Sequence, residues 1–179
     1  MSSAAVAGTA VEAIPTGTYQ LETGRSSVSF TTRHMFGLAG VNGTLRLATG
    51  QLVVASPATG SAVSAHAPAV SFSTGNPKRD EHVLSAAFLD AEKNPTLEFQ
   101  GTELTRDGDI WLAVGTLTAA GVTAPLGLTV TGTRLEGTTV IVTATGSIDR
   151  YAHGLVKMKG MAGRRLALTV STTFTKVSA

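Results

Sequence analysis

Cysteine is absent from the 179 residues, which excludes disulfides, thiolate nucleophiles and cysteine-ligated metal sites. Charge is also scarce, because Asp, Glu, Lys and Arg make up 15% of the chain, against about 25% in an average globular domain. The net charge of +2 and the lack of a basic run interleaved with aromatics argue against a nucleic-acid partner. No apolar run approaches the roughly 20 residues that a membrane-spanning helix needs. What remains is a chain with 42% apolar residues, long enough for one domain with a substantial core.

The N-terminal stretch MSSAAVAGTAVEAIP lacks the features of a secretory signal. It carries no Lys or Arg near Met1 and no run of Leu, Ile or Phe, whereas a signal peptide needs a charged start and an apolar centre. We therefore expect residues 1–15 to form a flexible tail and residues 16–179 to form a single domain. We also expect the protein to be cytoplasmic.

Apolar residues alternate with small polar ones along most of the chain. The alternation has period two in residues 27–34, 111–117, 126–130, 140–148 and 166–174. It places apolar side chains on one face and Ser or Thr on the other, as in half-buried antiparallel strands.

Turn signals separate these segments at short intervals. Gly-, Asp- and Pro-bearing stretches recur between them, and Asp107-Gly108 predicts a two-residue hairpin turn. About eight strands with this spacing indicate a meander that closes as a barrel or packs as a sandwich.

A different pattern occupies residues 77–91, PKRDEHVLSAAFLDA, where Ala, Leu and Glu recur at helical spacing. Asn76 or Thr74 can cap this helix, and Pro77 suits its first turn. The pair Asn94-Pro95 ends it. The sequence therefore predicts one short helix between two strands, with the densest charge of the chain in its first turn.

Small residues at inward strand positions leave two interpretations open. They are Ala113, Gly115, Ala119, Gly132, Ala144 and Gly146. A barrel of about eight strands either fills its interior with side chains or holds one small ligand. Small inward residues either leave room for a long apolar ligand or let twisted strands approach closely with no cavity between them.

Five motifs occur in a fixed order along the chain. They are RHM (33–35), TGNPKRDEH (74–82), FLDAEKNPTLEF (88–99), GTLTAAGVTAPLGL (115–128) and SIDRYAHG (147–154). Together they resemble the YceI-like proteins, a bacterial polyisoprenoid-binding family, over nearly everything from Gly17 onward. The resemblance implies an all-β fold, an eight-stranded antiparallel lipocalin-like barrel with a short helix inserted between strands. It also implies a long hydrophobic tunnel that holds an isoprenoid tail.

The ligand-binding residues expected from this resemblance and from the inward strand faces form one set. They are Phe30, Thr32, His34, Phe72, Arg79, His82, Phe88, Leu89, Phe99, Trp111, Leu117, Leu126, Leu128, Val130, Ile148 and Arg150.

The charged residues of the first helical turn have two open roles. As a structural clamp, Asp80 would pair with a cation such as Arg79 or Arg150 and fix the helix on the barrel. As a head-group site, Arg79 or Arg150 would bind a phosphate or a quinone, since Arg forms forked bonds to phosphate oxygens.

A metal site is not expected. His34, His82 and Asp80 are the nearest to a ligand set, but Asp80 and His82 are two positions apart on a helix and face different ways. His66 and His153 are expected at the surface or rim. No cofactor is expected either, since the chain contains no P-loop and no dinucleotide fingerprint after a strand.

The sequence favours a binding protein that carries or sequesters a polyisoprenoid or a related long-chain isoprenoid or quinone lipid. One alternative is an enzyme acting on such a lipid with His34, His82 or Asp80 as acid or base, although no G-x-S-x-G nucleophile elbow occurs. The other is a ligand-free, stress-related barrel.

The segment 154–168, GLVKMKGMAGRRLAL, is expected to be a hairpin loop with solvated charges. The alternative left open is a rim patch that contacts an anionic membrane. Association of two copies of the chain as a homodimer is also left open.

Overall fold

The computed structural model describes residues 9–34 and 37–178, and most of them belong to one antiparallel sheet. The strands are β1 (Gly17–Leu21), β2 (Ser27–His34), β3 (Ala39–Leu45), β4 (Thr49–Val54), β5 (Ala62–Pro68), β6 (Thr96–Asp107), β7 (Ile110–Ala119), β8 (Val122–Glu136), β9 (Thr139–Asp149) and β10 (Arg165–Lys176). Within the described residues the one α-helix, α1 (Pro77–Leu84), lies between β5 and β6. Short 3-10 turns occupy Val11–Ala13, Thr23–Arg25, Ala58–Gly60, Ala69–Ser71 and Arg150–His153.

The sheet closes into a barrel with eight strand positions. β1 pairs with both β4 and β10, so the order β1-β4-β5-β6-β7-β8-β9-β10 returns to its start. β2 pairs with residues 167–171 of β10, whereas β1 pairs with residues 174–176. β1 and β2 are therefore two halves of one strand position, interrupted at residues 22–26. The predicted eight-stranded antiparallel barrel with an inserted helix is confirmed.

The two ends of the barrel are covered by different segments. The "tail end" carries residues 9–16, the 55–61 connection and the β6–β7 and β8–β9 turns. The "helix end" carries the β2–β3 and β7–β8 turns, residues 69–95 with α1, and the loop 150–164. All five motifs include residues of the helix end or of strands that lead into it.

Part of the expected flexible tail lies against the barrel. The Thr9 amide donates to the Thr133 carbonyl over 2.8 Å, and the Thr9 hydroxyl accepts from the Leu135 amide over 2.9 Å. Ile14 is buried in a cluster with Tyr19. Residues 9–15 are thus attached to the barrel by backbone pairing and apolar burial, and residues 1–8 lie outside the described residues.

The start of α1 follows the sequence prediction. The Asn76 side chain accepts a hydrogen bond of 3.1 Å from the Arg79 amide, and Pro77 occupies the first turn.

The end of α1 does not follow it, because the helix stops at Leu84 instead of reaching residue 91. Ser85 is extended, with φ −69° and ψ 169°, and its hydroxyl donates to the His82 carbonyl over 2.5 Å. This local bond offers the backbone an alternative to the helix.

Among the described residues, no helix combines the length and the apolar character needed to cross a lipid bilayer.

The β6–β7 turn is shifted by one residue from its predicted position. Asp107 pairs with Ile110, so the two turn residues are Gly108 and Asp109. Gly108 has a φ of +59°, and Gly at the first central position is typical of a type II′ hairpin turn.

Candidate ligand-binding cavity

The barrel encloses an apolar cavity of about 220 Å³. Its wall includes Leu168, Val170, Thr172 and Phe174, which are alternate residues of β10. Six residue steps along a strand cover about 20 Å at roughly 3.3 Å each. The cavity therefore follows the strands through much of the barrel.

Small residues account for the cavity in one place and for close packing in another. Ala113 and Ala144 lie on the cavity wall, where a larger side chain would take up the space. Gly115 has a different role, because a Cβ atom there would meet the Gln100 carbonyl oxygen at 2.0 Å. Both interpretations of the small inward residues thus apply, each at its own positions.

Two aromatic rings stack towards the helix end, next to residues of the cavity wall. Phe30 and Phe72 stack with ring centroids 5.1 Å apart and an interplanar angle of 21°. Phe30 is 3% exposed and packs in one cluster with Leu117 and Leu126, which are themselves on the cavity wall. We interpret the stacked pair as an apolar plug at this end of the cavity.

The N-terminal segment covers the tail end of the cavity. Val11 and Ile14 belong to the wall. Next to them, Glu12 forms an ion pair with Arg106, whose guanidinium carbon lies 5.2 Å from the centre of the Trp111 ring. The covering segment is thus attached by this exposed ion pair and by apolar contacts, in addition to the hydrogen bonds of Thr9.

The structure brings some of the sequence-predicted site residues together on the cavity wall. These are Phe99, Leu117, Leu126, Leu128, Val130 and Ile148. Phe30 and Phe72 form the plug, and Trp111 lies at the tail end. The rest lie at the helix end outside the wall: Thr32, His34, Arg79, His82, Phe88, Leu89 and Arg150. Ligand contact by any of these residues stays a prediction.

Other wall residues were not among the predicted site residues. Val142, Ala144, Leu168, Val170 and Phe174 carried the same period-two signal as the predicted ones, so the pattern was sufficient to find them. Val11 and Ile14 had no such signal, because they precede the first strand.

Arg79 and Asp80 do not pair with each other, so the Arg79–Asp80 form of the clamp interpretation is wrong. Both bind Thr74 instead. The Asp80 carboxylate accepts from the Thr74 amide over 2.9 Å and from its hydroxyl over 2.6 Å, and Arg79 Nε donates to that hydroxyl over 2.8 Å. Thr74 therefore connects the first turn of α1 to the chain that precedes it. His82 is exposed and meets the Phe88 ring edge-on at 5.1 Å.

Arg150 is 6% exposed, and its hydrogen bonds go to backbone carbonyls. Nε donates to Gly163 over 2.8 Å, one Nη donates to Ala162 over 3.0 Å, and the other donates to Leu155. A buried guanidinium thus fixes the fold of the loop 150–164. This arrangement favours a structural role for Arg150 over head-group binding.

His153 is also buried, which corrects its expected place at the surface. It is 4% exposed, and its Nε2 lies 3.0 Å from the Leu117 carbonyl oxygen. His66 is half-buried, 3.4 Å from Glu98. In residues 9–34 and 37–178, no three His, Asp or Glu side chains converge as a metal site would require.

A family model described as a YceI-like domain matches residues 19–174. The chain belongs to the YceI-like family. A curated relative, the UPF0312 protein of Serratia proteamaculans, is 43% identical over 58 residues, which are 32% of this chain and 30% of that relative. A UPF0312 protein of Pseudomonas aeruginosa is 43% identical over 56 residues, or 31% of this chain and 29% of the relative. The chain thus spans less than a third of the length of these curated relatives.

Solved structures share the fold of this YceI-like chain. BcnA of Burkholderia cenocepacia superposes with a TM-score of 0.75 at 17% identity, covering 86% of this chain and 98% of BcnA. A polyisoprenoid binding domain from Saccharophagus degradans, implicated in plant cell wall breakdown, gives 0.67 at 14% identity, covering 89% and 98%. The Campylobacter jejuni YCEI protein gives 0.62 at 18%, covering 79% and 88%.

Proposed function

We propose that the barrel binds a polyisoprenoid or a related long-chain isoprenoid or quinone lipid in its cavity and acts as a carrier or sequestering protein. The observation that carries this proposal is the apolar cavity along the strands, flanked by stacked aromatic rings towards the helix end and by the N-terminal segment at the tail end. Burying an apolar chain there gains about 0.8 kcal/mol for each CH₂ group.

The cavity volume sets a scale for the bound chain. An apolar cavity of about 150 Å³ binds one benzene ring, which has six carbons. By that comparison a cavity of about 220 Å³ accommodates on the order of ten carbons, or about two isoprene units. A longer tail must displace the covering segment or the aromatic plug.

The polar groups on the wall favour binding over chemistry. Among the described wall residues, the hydroxyls are those of Ser61, Thr133 and Thr172. Ser61 accepts from the Ala55 amide, whereas Thr133 and Thr172 donate to the backbone carbonyls of Thr9 and Val142. A nucleophile would instead need a base within hydrogen-bond reach.

The remaining wall residue with an ionisable group is Glu103. It is exposed and lies opposite Val114 in the β6–β7 register, on the outward face. His34, His82 and Asp80, the acids and bases of the enzyme alternative, lie at the helix end and are not on the cavity wall. The description of the Saccharophagus degradans domain as polyisoprenoid-binding adds support to the lipid proposal.

Extraction and mass spectrometry of lipid from the purified protein test the proposal. We expect an unaltered prenyl chain in the wild-type protein and none in Leu128→Arg, which places a charge on the wall. Thr145→Arg is the matched control on the exposed face of β9 and should retain the lipid. If prenyl lipid is added to the protein and a chemically altered lipid is recovered, the enzyme alternative is favoured. A folded protein that neither retains nor takes up prenyl lipid would contradict lipid binding.

A further inference from the structure

Four exposed apolar side chains cluster at the helix end. Leu38 is 84% exposed, Val156 44%, Met158 47% and Met161 43%. Leu38 lies in the β2–β3 turn, and the other three lie in the loop that follows Arg150–His153. Exposed apolar residues that occur singly are normal, but a group of this kind marks an interaction site.

The two segments are neighbours in the structure. His34 forms a β-bridge with Ala162, and the Thr32 hydroxyl donates to the Arg165 carbonyl over 2.8 Å. The loop therefore packs along the last residues of β2, next to the turn that carries Leu38. We call the surface formed by residues 33–34, 37–38 and 155–165 the docking face.

Cations surround these apolar side chains. Arg33, Lys157, Lys159, Arg164 and Arg165 are all exposed. Arg164 is held by Asp149, with Nη2 2.7 Å from the carboxylate, whereas no other cation of the docking face pairs with a carboxylate of the described residues. The sequence explains this surplus, because residues 23–79 and 150–179 contain neither Asp nor Glu. The docking face is built from both of these acid-free stretches.

We propose that the docking face binds the surface of an anionic lipid bilayer. Cations near such a surface are attracted to its phosphates, and Leu, Met and Val between them can enter the boundary between head groups and acyl chains. An acidic protein or a nucleic acid could bind the cations of the docking face but would leave its exposed apolar side chains in water. A bilayer accommodates both kinds of side chain, so the apolar residues favour a bilayer as the partner.

Docking is separable from lipid binding in the cavity. The docking face consists of residues 33–34, 37–38 and 155–165 at the helix end, and none of them is on the cavity wall. Bilayer binding should therefore be the same for lipid-free and lipid-loaded protein. A failure of the cavity proposal would leave this one standing, and the reverse also holds.

Co-sedimentation with vesicles tests the proposal. We expect the full chain to pellet with vesicles of equal parts phosphatidylglycerol and phosphatidylcholine and to stay in solution with phosphatidylcholine alone. Raising the salt to about 1 M, where the Debye length is about 3 Å, should weaken the binding. The proposal is overturned if the folded protein does not pellet with the anionic vesicles, or if it pellets equally with both kinds of vesicle.

Paired variants identify the surface. Lys157→Ser with Lys159→Ser should lower the partition coefficient at least tenfold, since each cation near the surface contributes about fivefold. The control with the same charge change, Arg25→Ser with Arg134→Ser, lies elsewhere on the barrel and should bind as the wild type does.

The apolar contribution has its own pair of variants. Met158→Ser with Met161→Ser should also release the protein from vesicles. The control, Ile110→Ser with Val177→Ser, alters two exposed side chains at the tail end, 57% and 44% exposed, and should not. If a control pair lowers vesicle binding as much as its test pair does, the assignment of binding to the docking face is overturned. Circular dichroism confirms that each variant is folded.

Discussion

Glu12 and Arg106, 94 positions apart in the chain, form an ion pair with 2.5 Å between Oε1 and Nη1. This pair ties the N-terminal segment to β6 beside Val11 and Ile14, which line the cavity. A ligand that enters at the tail end would have to displace this segment, so we expect the ion pair to slow the opening of the cavity.

Glu12→Gln should speed the uptake of an apolar fluorescent probe severalfold and leave the melting temperature nearly unchanged. Both side chains are 46% exposed, and exposed ion pairs contribute about 0.2–1 kcal/mol. Glu136→Gln breaks the comparable exposed pair with Arg134 and serves as the control. Stopped-flow fluorescence measures the rates. Equal rates in both variants would show that the segment does not limit uptake.

Phe72→Ala should open the helix end of the cavity and allow a longer isoprenoid to bind. Phe72 is half-buried against Phe30, so the loss of its ring should lower the free energy of unfolding by about 2–3 kcal/mol. Mass spectrometry of retained lipids and urea denaturation measure the two effects. The stacked rings would not be the plug if the distribution of bound chain lengths stayed the same.

Arg150→Met should lower the free energy of unfolding by about 2–4 kcal/mol, because the carbonyls of the half-buried residues Leu155, Ala162 and Gly163 lose their donors. Thermal denaturation checks this with and without lipid, and the exposed Arg165→Ser is the control. If Arg150 instead binds the head group of a lipid, Arg150→Met should lower the affinity for lipid and leave the stability of the lipid-free protein unchanged.

Acid should weaken the fold partly through Asp149. The hydrogen bond from Arg164 is the main reason that the pKa of this carboxyl is lowered from 3.8 to about 2. Because the folded state has the lower pKa, the unfolded state binds the proton first. The contribution of Asp149 is complete above about pH 5 and is lost as the pH falls towards about 2.

Melting curves between about pH 2 and pH 6 measure this dependence. Asp149→Asn and Arg164→Ser should both show a smaller loss of melting temperature on acidification than the wild type. An acid dependence that is unchanged in both variants would mean that the pair does not contribute to stability.

The period-two pattern was sufficient to predict the barrel and part of its lining. Alternation is a local property, so Leu126, Leu128 and Val130 could be placed on one face without knowing the partners of β8. The cytoplasmic location stays a prediction, since nothing in the fold bears on it.

Features that depend on distant contacts could not be predicted in this way. His153 becomes buried because it reaches the Leu117 carbonyl, 36 positions away. Arg79 and Asp80 suggested a pair because they are adjacent and opposite in charge. Each of them instead bonds to Thr74, which satisfies both side chains at once.

The division of β10 between two partners has a mechanical consequence. β1 holds residues 174–176 and β2 holds residues 167–171, and the two partners are separated by a short 3-10 turn. The turn interrupts the wall, so the ladder around Tyr19 and the ladder around Phe30 are not continuous along one strand. A change of register in one ladder therefore need not pass to the other.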